Sequence, residues 1–403
     1  MHRGTSHRPG PERAPRRLAV ARPRPRVLIV SGSVGAGHDG AAAALATRLR
    51  GEGVHVDQQD YLQALPAVVR AVLAGCYALI VNYAPAAFGW LFASIERHAL
   101  THQLSLAICG LAQRRVEQWL RPGYQAVVST YPLASQTLGQ LRGSGRLGCP
   151  VVTFLTDPAV HRLWVHSAVD HHLTVTQATA DHGSSQYAVP MQVGGPLVAA
   201  AFSRSTTSPA AAAARAAIRA QWGVDEQTPV ALVLTGSLGM GDVSATVDAV
   251  LAGGVAVPVV ACGRNERLRR QLSGQLGPRA LSWRDDMPDL MAAADVLITN
   301  AGGLSFTEAL VAGLPAVCFA PIPGHGQANA AVLHAAGLAP WARTHADLTL
   351  ALRAATGPGR RTSLATPPPC AVDVFVTRLF TTEVADLPRR PRRFSRRRPR
   401  AAA

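Results

Sequence analysis

The chain contains no lysine; all 40 of its basic residues are arginine. Together with abundant alanine, this reads as the codon bias of a high-GC genome rather than as selection for guanidinium chemistry. Aromatic residues make up only 5% of the 403 and charged residues only 16%. The six cysteines (Cys76, Cys109, Cys149, Cys262, Cys318 and Cys370) lie far apart with no CxxC pair. That spacing argues against a zinc site and against a disulfide framework. Reduced thiols in a cytosolic protein are the plain expectation. No apolar run precedes Val27, so no signal peptide is expected. The glycines of the loop 32–38 run G-x-x-G-x-G rather than the G-x-G-x-x-G of the dinucleotide fingerprint, and the chain lacks the Gly-Lys-Ser/Thr of a P-loop.

What is present suits a chain that buries real cores. Hydrophobic residues reach 48%, and the length allows two domains of ordinary size. Val, Leu, Ala and Gly with few aromatics suit buried parallel strands flanked by helices. The formal charge of +16 sits mostly at the ends. Residues 1–26 hold eight Arg against the single acid Glu12, and the last fifteen residues hold eight Arg and no acid. The body between Val27 and Pro388 is therefore nearly neutral. Such Pro/Arg-rich tails, taken here as residues 1–26 and 386–403, cannot build a core and are expected to be disordered. They could meet nucleic acid, meet an anionic membrane surface, or simply be solvated. No nucleic-acid motif accompanies the charge, so nucleic acid is not an expected partner.

Along the chain, Arg26–Ser31 reads as a buried strand, 32–38 as a glycine loop, Asp39–Arg50 as a helix and Val54–Asp57 as a weak strand. That is the opening of a doubly wound domain. Residues 71–95 carry no charge, but Asn82 and Pro85 interrupt the run. Two helical pieces broken near Pro85 are expected rather than a membrane span. Phe88, Trp90, Leu91 and Phe92 would then form an apolar tip able to dip into a bilayer interface, or else pack as core. Further buried strands are expected at 126–130, 150–157 and 172–176. A linker entering a helix over 203–217 divides a first domain (27–200) from a second (205–385). The second domain repeats the pattern, with strands at 230–235, 257–263, 295–299 and 315–319. A closing helix is expected over 371–384.

Four segments carry candidate chemistry. In the first loop, Gly35 and Gly37 leave backbone N–H groups free to meet a polar ligand at a helix start. His38 projects over that loop, as a proton acceptor or as an ordinary capping residue. The loop 236–241 offers amides suited to a diphosphate, or makes a tight turn. In 299–309, Glu308 lies in the first turns of a helix, where a carboxylate can take both hydroxyls of a ribose or simply offset the helix dipole. In 321–330, the amides of Gln327 and Asn329 match sugar hydroxyls, or ordinary turn chemistry.

The order and spacing of these segments carry more than any one of them. SGSVGAGHDGAA, VVSTYP and TFLTDPAVHRLWVH come first; TGSLGMG, CGRNERLRRQL, MPDLMAAADVLITNAGG, TEALVAGLP and PIPGHGQANA follow. With these motifs the chain resembles glycosyltransferase family 28, in the branch of monogalactosyldiacylglycerol synthases and processive diacylglycerol glucosyltransferases. The resemblance covers roughly Val27 to Trp341. It implies a GT-B fold: α/β, with two Rossmann-like doubly wound domains facing across a cleft. It implies an inverting enzyme that moves a hexose from a UDP-sugar to a lipid acceptor such as diacylglycerol. Transfer of GlcNAc to a polyprenyl or secondary-metabolite acceptor, and a GT-B epimerase, are the alternatives.

By motif position, Gly236, Ser237 and Gly239 would face the diphosphate, and Arg264 and Asn265 would lie by the nucleotide. Met287 would flank the uracil, Glu308 would take the ribose, and Gln327 and Asn329 the sugar. Asn300, Gly302, Gly303 and Ser305 belong to the same nucleotide-sugar site. His38 matches the family's glycine-loop base, with Asp157 a second candidate; Gly35, Gly37, Phe88 and Trp90 would meet the acceptor. No cofactor and no metal are implied, and no DxD motif occurs. A cytoplasmic protein held peripherally at the inner face of the plasma membrane would follow.

Overall fold

The computed structural model describes residues 24–203, 208–300 and 302–357. The expected helix over 371–384, the tail 386–403 and all but three residues of the tail 1–26 lie outside them. The first half runs β1 (Arg26–Ser31), α1 (Ala36–Gly51), β2 (His55–Asp60), α2 (Ala67–Tyr83), α3 (Pro85–Arg97), α4 (Ala99–Leu120), β3 (Ala126–Ser129), α5 (Pro132–Gly143), β4 (Val151–Phe154), β5 (His171–Thr174), α6 (Gln177–Tyr187) and β6 (Met191–Val193). The second runs α7 (Pro209–Gln221), β7 (Val230–Leu234), α8 (Val243–Gly253), β8 (Val257–Ala261), α9 (Glu266–Leu276), β9 (Ala280–Leu281), α10 (Met287–Ala293), β10 (Val296–Thr299), α11 (Gly303–Val311), β11 (Ala316–Phe319), α12 (His325–Ala335), β12 (Trp341–Ala342) and α13 (His345–Thr356).

Each half holds one six-stranded sheet, ordered β2-β1-β3-β4-β5-β6 and β12-β11-β10-β7-β8-β9, with parallel pairing. Helices cover both faces, so central strands read as unbroken apolar runs. All five residues of β7, VALVL, are buried, and one apolar cluster packs on each side of its sheet. A buried Val or Leu contributes on the order of 1.5–3 kcal/mol relative to exposure. The α/β, doubly wound expectation holds in both halves. In the first sheet the strand order reverses between β1 and β3; in the second, between β7 and β10. Ligands of such sheets sit outside the carboxyl ends of the strands at these reversals.

Differences from the sequence reading fall at sheet edges. The second strand begins at His55 and runs on through the polar Gln58-Gln59-Asp60, paired with β1 along its whole length. An edge strand need not bury its side chains, so apolar patterning stops short of it. The same holds for the missed β6, β9 and β12, which are two or three residues long. Residues 71–95 do form two helices. Ala84 leaves helical geometry at φ −139°, ψ 56°, and Pro85 opens α3. Proline pushes its predecessor out of helical geometry and is at home at a first helical position. Among the described residues, no helix is long and apolar enough to cross a membrane.

Candidate active site at the paired switch points

The two reversals face each other and enclose one cavity of about 690 Å³. On the first half, Gly32 lies so close to Tyr131 that a Cβ would sit 2.5 Å from the ring. Asp60 holds the loop by accepting from Ser33 Oγ (2.7 Å) and Ser33 N (3.1 Å). Gly35 is the N-cap of α1 and has no side chain to satisfy the helix's first N–H groups. Ser237 of the other half supplies an acceptor: Ala36 N donates to its Oγ at 3.2 Å. Helix α1 starts three residues earlier than expected, which puts His38 in its first turn.

His38 lines the cavity with its Nδ1 3.0 Å from Thr156 Oγ1. Its ring packs edge-on to Tyr131 at 5.1 Å and tilted to Trp164 at 5.8 Å. Burial lowers its pKa from the ordinary histidine value, against the opposing pull of the Asp157 charge. The imidazole is thus held neutral, the state a general base requires. Asp157 Oδ2 accepts from Trp164 Nε1 at 3.1 Å, which orients the carboxylate.

Two further histidines converge there, and the sequence reading assigned neither. His161 follows the Thr-Asp-Pro turn, and burial pushes its pKa down to about 4. His325 opens α12 from the opposite half, and burial lowers its pKa too. Both feel the charge of Asp157. PAVHRLWVH and PIPGHGQ did show both residues beside turn signals, but sequence alone does not reveal which loop residue faces inward.

On the second half, the loop after β7 turns on Gly236 (φ +72°) and Gly239 (φ +58°). Gly302 and Gly303, at φ +68° and +59°, turn the chain into α11. Only glycine adopts such backbone freely. Glu308, one turn further along α11, lines the cavity, and burial raises its pKa to about 8. It is not in the helix's first turn, so offsetting the helix dipole is not its role.

The cavity therefore collects Gly35, Gly37, His38, Phe88 and Asp157 from the first half. From the second it collects Gly236, Ser237, Met287, Gly302, Gly303, Ser305 and Glu308. Seven expected site residues lie off its wall. Gly239 packs so tightly that a Cβ would meet Cys262 O at 2.5 Å. Asn265 caps α9, accepting from Leu268 N at 3.0 Å, and its Nδ2 donates to Gly239 O at 3.2 Å. The Arg264 guanidinium stacks 4.5 Å over the Trp283 ring. Asn300 Nδ2 donates to Met240 O at 2.6 Å, leaving its buried Oδ1 without a partner among the described residues. Asn329 is buried, and its Oδ1 accepts from Ala159 N at 2.9 Å across the cleft. Gln327 is exposed on α12. Trp90 is 67% exposed, whereas Phe88, Leu91 and Phe92 line the cavity, so the four do not form one tip. Shape complementarity, not motif position, decides which amides become braces.

The far wall of the cavity is apolar. Leu73, Leu91, Ile95, Leu104 and Ile108 of α2, α3 and α4 face the polar loops across it. One chamber thus joins a floor of glycine amides and titratable groups to a wall suited to hydrocarbon. Among the described residues no group of three His, Cys, Asp or Glu could hold a metal ion.

Comparison with known proteins agrees with this geometry. The model of the family Monogalactosyldiacylglycerol (MGDG) synthase matches residues 38–187, and that of the Glycosyltransferase family 28 C-terminal domain matches 230–349. A processive diacylglycerol beta-glucosyltransferase of Bacillus pumilus (strain SAFR-032) is 22% identical over 335 residues, spanning 80% of this chain and 84% of that one. The fold is similar to that of Acinetobacter baumannii MurG, with TM-score 0.51 and 19% identity over 85% of this chain and 94% of that one. It is also similar to that of the glycosyltransferase SnogD from Streptomyces nogalater, with TM-score 0.50 and 19% identity over 89% of this chain and 100% of that one. The two family matches fall one on each half, in the order in which the sheets and their switch-point loops occur. The chain therefore belongs to glycosyltransferase family 28, in the branch of monogalactosyldiacylglycerol synthases and processive diacylglycerol glucosyltransferases, and is a UDP-sugar-dependent glycosyltransferase of GT-B fold.

Proposed function

We propose that the protein moves a hexose from a UDP-sugar to the hydroxyl of a membrane lipid such as diacylglycerol, with inversion at the anomeric carbon. The observation that carries this is the two-sided chamber: polar glycine loops on one side and hydrocarbon on the other. In this reading residues 27–200 receive the acceptor and 205–385 hold the donor. The B. pumilus relative, named for diacylglycerol and glucose transfer, supports that assignment.

The lipid oxygen attacks the anomeric carbon while the bond to the diphosphate oxygen breaks. The hydroxyl proton passes to His38, and UDP departs. In the tautomer whose Nδ1–H donates to Thr156 Oγ1, Nε2 is the nitrogen left to accept the proton. Asp157 stabilises the imidazolium that forms. The amides of the loop after β7 and the N-terminus of α11 meet the charge growing on the diphosphate. Glu308 takes the ribose hydroxyls.

The same reading puts the protein at the cytoplasmic face of an anionic membrane. Helices α2 and α4 leave Val68, Leu79, Leu100 and Leu111 largely exposed. Arg70, Arg97, Arg114 and Arg115 lie on the same group of helices. Their two acids are engaged, Glu96 with Arg162 N and Tyr187 Oη, and Glu117 with Arg146. Exposed apolar residues beside unbalanced arginines suit an interface carrying negative headgroups.

The test is UDP release, measured for several UDP-hexoses with and without diacylglycerol vesicles. Lipid-dependent release with a glycosylated lipid product is expected. Donor consumption that ignores the lipid would sink the transferase reading in favour of hydrolysis or epimerisation.

A further inference from the structure

The helix α3 packs within the first half against α2 and α4, yet one end of it also reaches across to the other half. Phe88 packs edge-on to His325 at 5.5 Å, and Phe92 lies 6.3 Å from the same ring. A Cβ on Gly89 would sit 3.0 Å from Pro323 Cβ. A Cβ on Gly324 would sit 2.9 Å from Phe92 Cβ. Two glycines, one from each half, thus interlock and leave no slack between helix and loop. A small apolar cluster seals the contact: Val81 and Phe88 from the first half, with Leu238, Met240 and Ile322 from the second. Leu238 and Met240 belong to the loop after β7, and Ile322 to the loop before α12.

The other end of α3 is tied down as firmly. Glu96 Oε1 accepts from Arg162 N at 2.6 Å, and Glu96 Oε2 accepts from Tyr187 Oη at 2.8 Å. Phe92 also packs against His161 at 5.4 Å. The helix therefore runs as a strut from the Asp157–Trp164 loop to the loop that carries His325. Gln327, the amide expected to meet the sugar, is turned to solvent, which leaves His325 as the cavity-facing side chain of that loop.

We propose that Phe88 and Gly89, on the acceptor half, are positioning residues for the donor: they hold the 321–326 loop and the His325 ring where the hexose is gripped. The proposal rests on the reading above, in which UDP-sugar lies between the loop after β7 and α11. It departs from that reading on Phe88, which sequence position assigns to the acceptor. A side chain that fixes its neighbour's orientation affects the substrate that neighbour touches. Truncating Phe88 removes the edge-on partner of the His325 ring, leaving only Phe92 at 6.3 Å, and opens the cluster around Ile322. The defect belongs to the sugar, not to the nucleotide and not to the lipid.

The experiment compares wild type with Phe88→Ala, Phe88→Leu and Gly89→Ala. It measures KM for UDP-hexose at saturating lipid, KM for lipid at saturating donor, and Kd for UDP alone by calorimetry. Phe88→Ala should raise the donor KM by about tenfold, with lipid KM and UDP Kd within about twofold. Phe88→Leu should recover most of the loss, and Gly89→Ala should shift the donor KM in the same direction. If Phe88→Ala does not fold, the other two variants decide. An unchanged donor KM, or a shift confined to the lipid KM, overturns the proposal. Wild type that binds no UDP would instead overturn the donor-site reading on which it rests.

Discussion

At the scale of single residues, the chemistry of the site is set by burial more than by charge pairing. His38 is neutral because its surroundings exclude water, and its pKa lies below the ordinary value of 6.5. The base form therefore persists below pH 6.5, and the acid limb of kcat/KM should fall below that value. An acid limb centred above pH 7 would contradict His38 as the base. His38→Ala should lower kcat by about 10²–10⁴-fold with UDP affinity largely kept. Unchanged turnover would remove it from the mechanism.

Glu308 is a second case. Burial raises its pKa to about 8, so at neutral pH the carboxyl is mostly protonated in the empty site. Ribose hydroxyls donating to it would favour the carboxylate, so UDP binding should release a proton below pH 8. Calorimetry of UDP binding in buffers of different ionisation enthalpy measures this. Heats that do not depend on the buffer would mean that Glu308 keeps its proton on binding. His38 and Glu308 were legible as candidates because each stands at a fixed offset from a strand-and-glycine turn, and Asp157 through the family resemblance of its Thr-Asp motif. His161 and His325 were not, because their direction is set by packing between halves that lie far apart in sequence.

At the scale of elements, the central strands and the helix break at Pro85 followed from local physics: apolar runs, glycine turns and proline's constraint on its neighbour. The edge strands did not, since polar residues such as Gln58 and Gln59 carry no pattern. In the loop after β7, Gly239 serves the site from off the cavity wall. Gly239 sits at φ +58° with a backbone oxygen 2.5 Å from where a Cβ would be. Gly239→Ala should lower stability by more than about 1 kcal/mol, read as a lower Tm. UDP affinity should fall with it, since the loop's amides would shift. A variant with wild-type Tm and wild-type affinity would show that the turn is not strained by a side chain.

The exposed face of α2 and α4 makes a separate prediction. Leu100→Asp, at a side chain 78% exposed, should weaken binding to anionic vesicles in a flotation assay while sparing UDP affinity. Equal flotation of the variant would remove Leu100 from the docking face.

At the scale of the whole molecule, the first half carries buried neutral histidines away from the nucleotide loops. Burial pushes His172 of β5 down to about 4, as it does His161. The unfolded chain binds these protons near pH 6.5, and the folded chain resists them until about pH 4. Stability is therefore present above pH 6.5 and lost as pH falls toward 4. Each such histidine contributes up to about 3 kcal/mol to that loss. Thermal melts from pH 7 to 5 should show a falling Tm, and His172→Gln should flatten the slope. A flat wild-type profile would argue that these rings are reached by water.

Hydrogen bonds that span the cleft include Ala36 N to Ser237 Oγ and Ala159 N to Asn329 Oδ1. In both, one partner is a main-chain amide of the acceptor half and the other is a side chain of the donor half. An amide is available whatever residue stands there, proline excepted. Neither hydrogen bond therefore depends on the side chain at 36 or 159 in the first half, while both depend on the side chain that the second half supplies. A chimaera that keeps this second half and borrows a relative's first half inherits both hydrogen bonds, and its seam then rests on matching the contacts of α3 with the 321–326 loop. Swapping whole lobes is thus the route by which this scaffold can be retargeted to a different lipid.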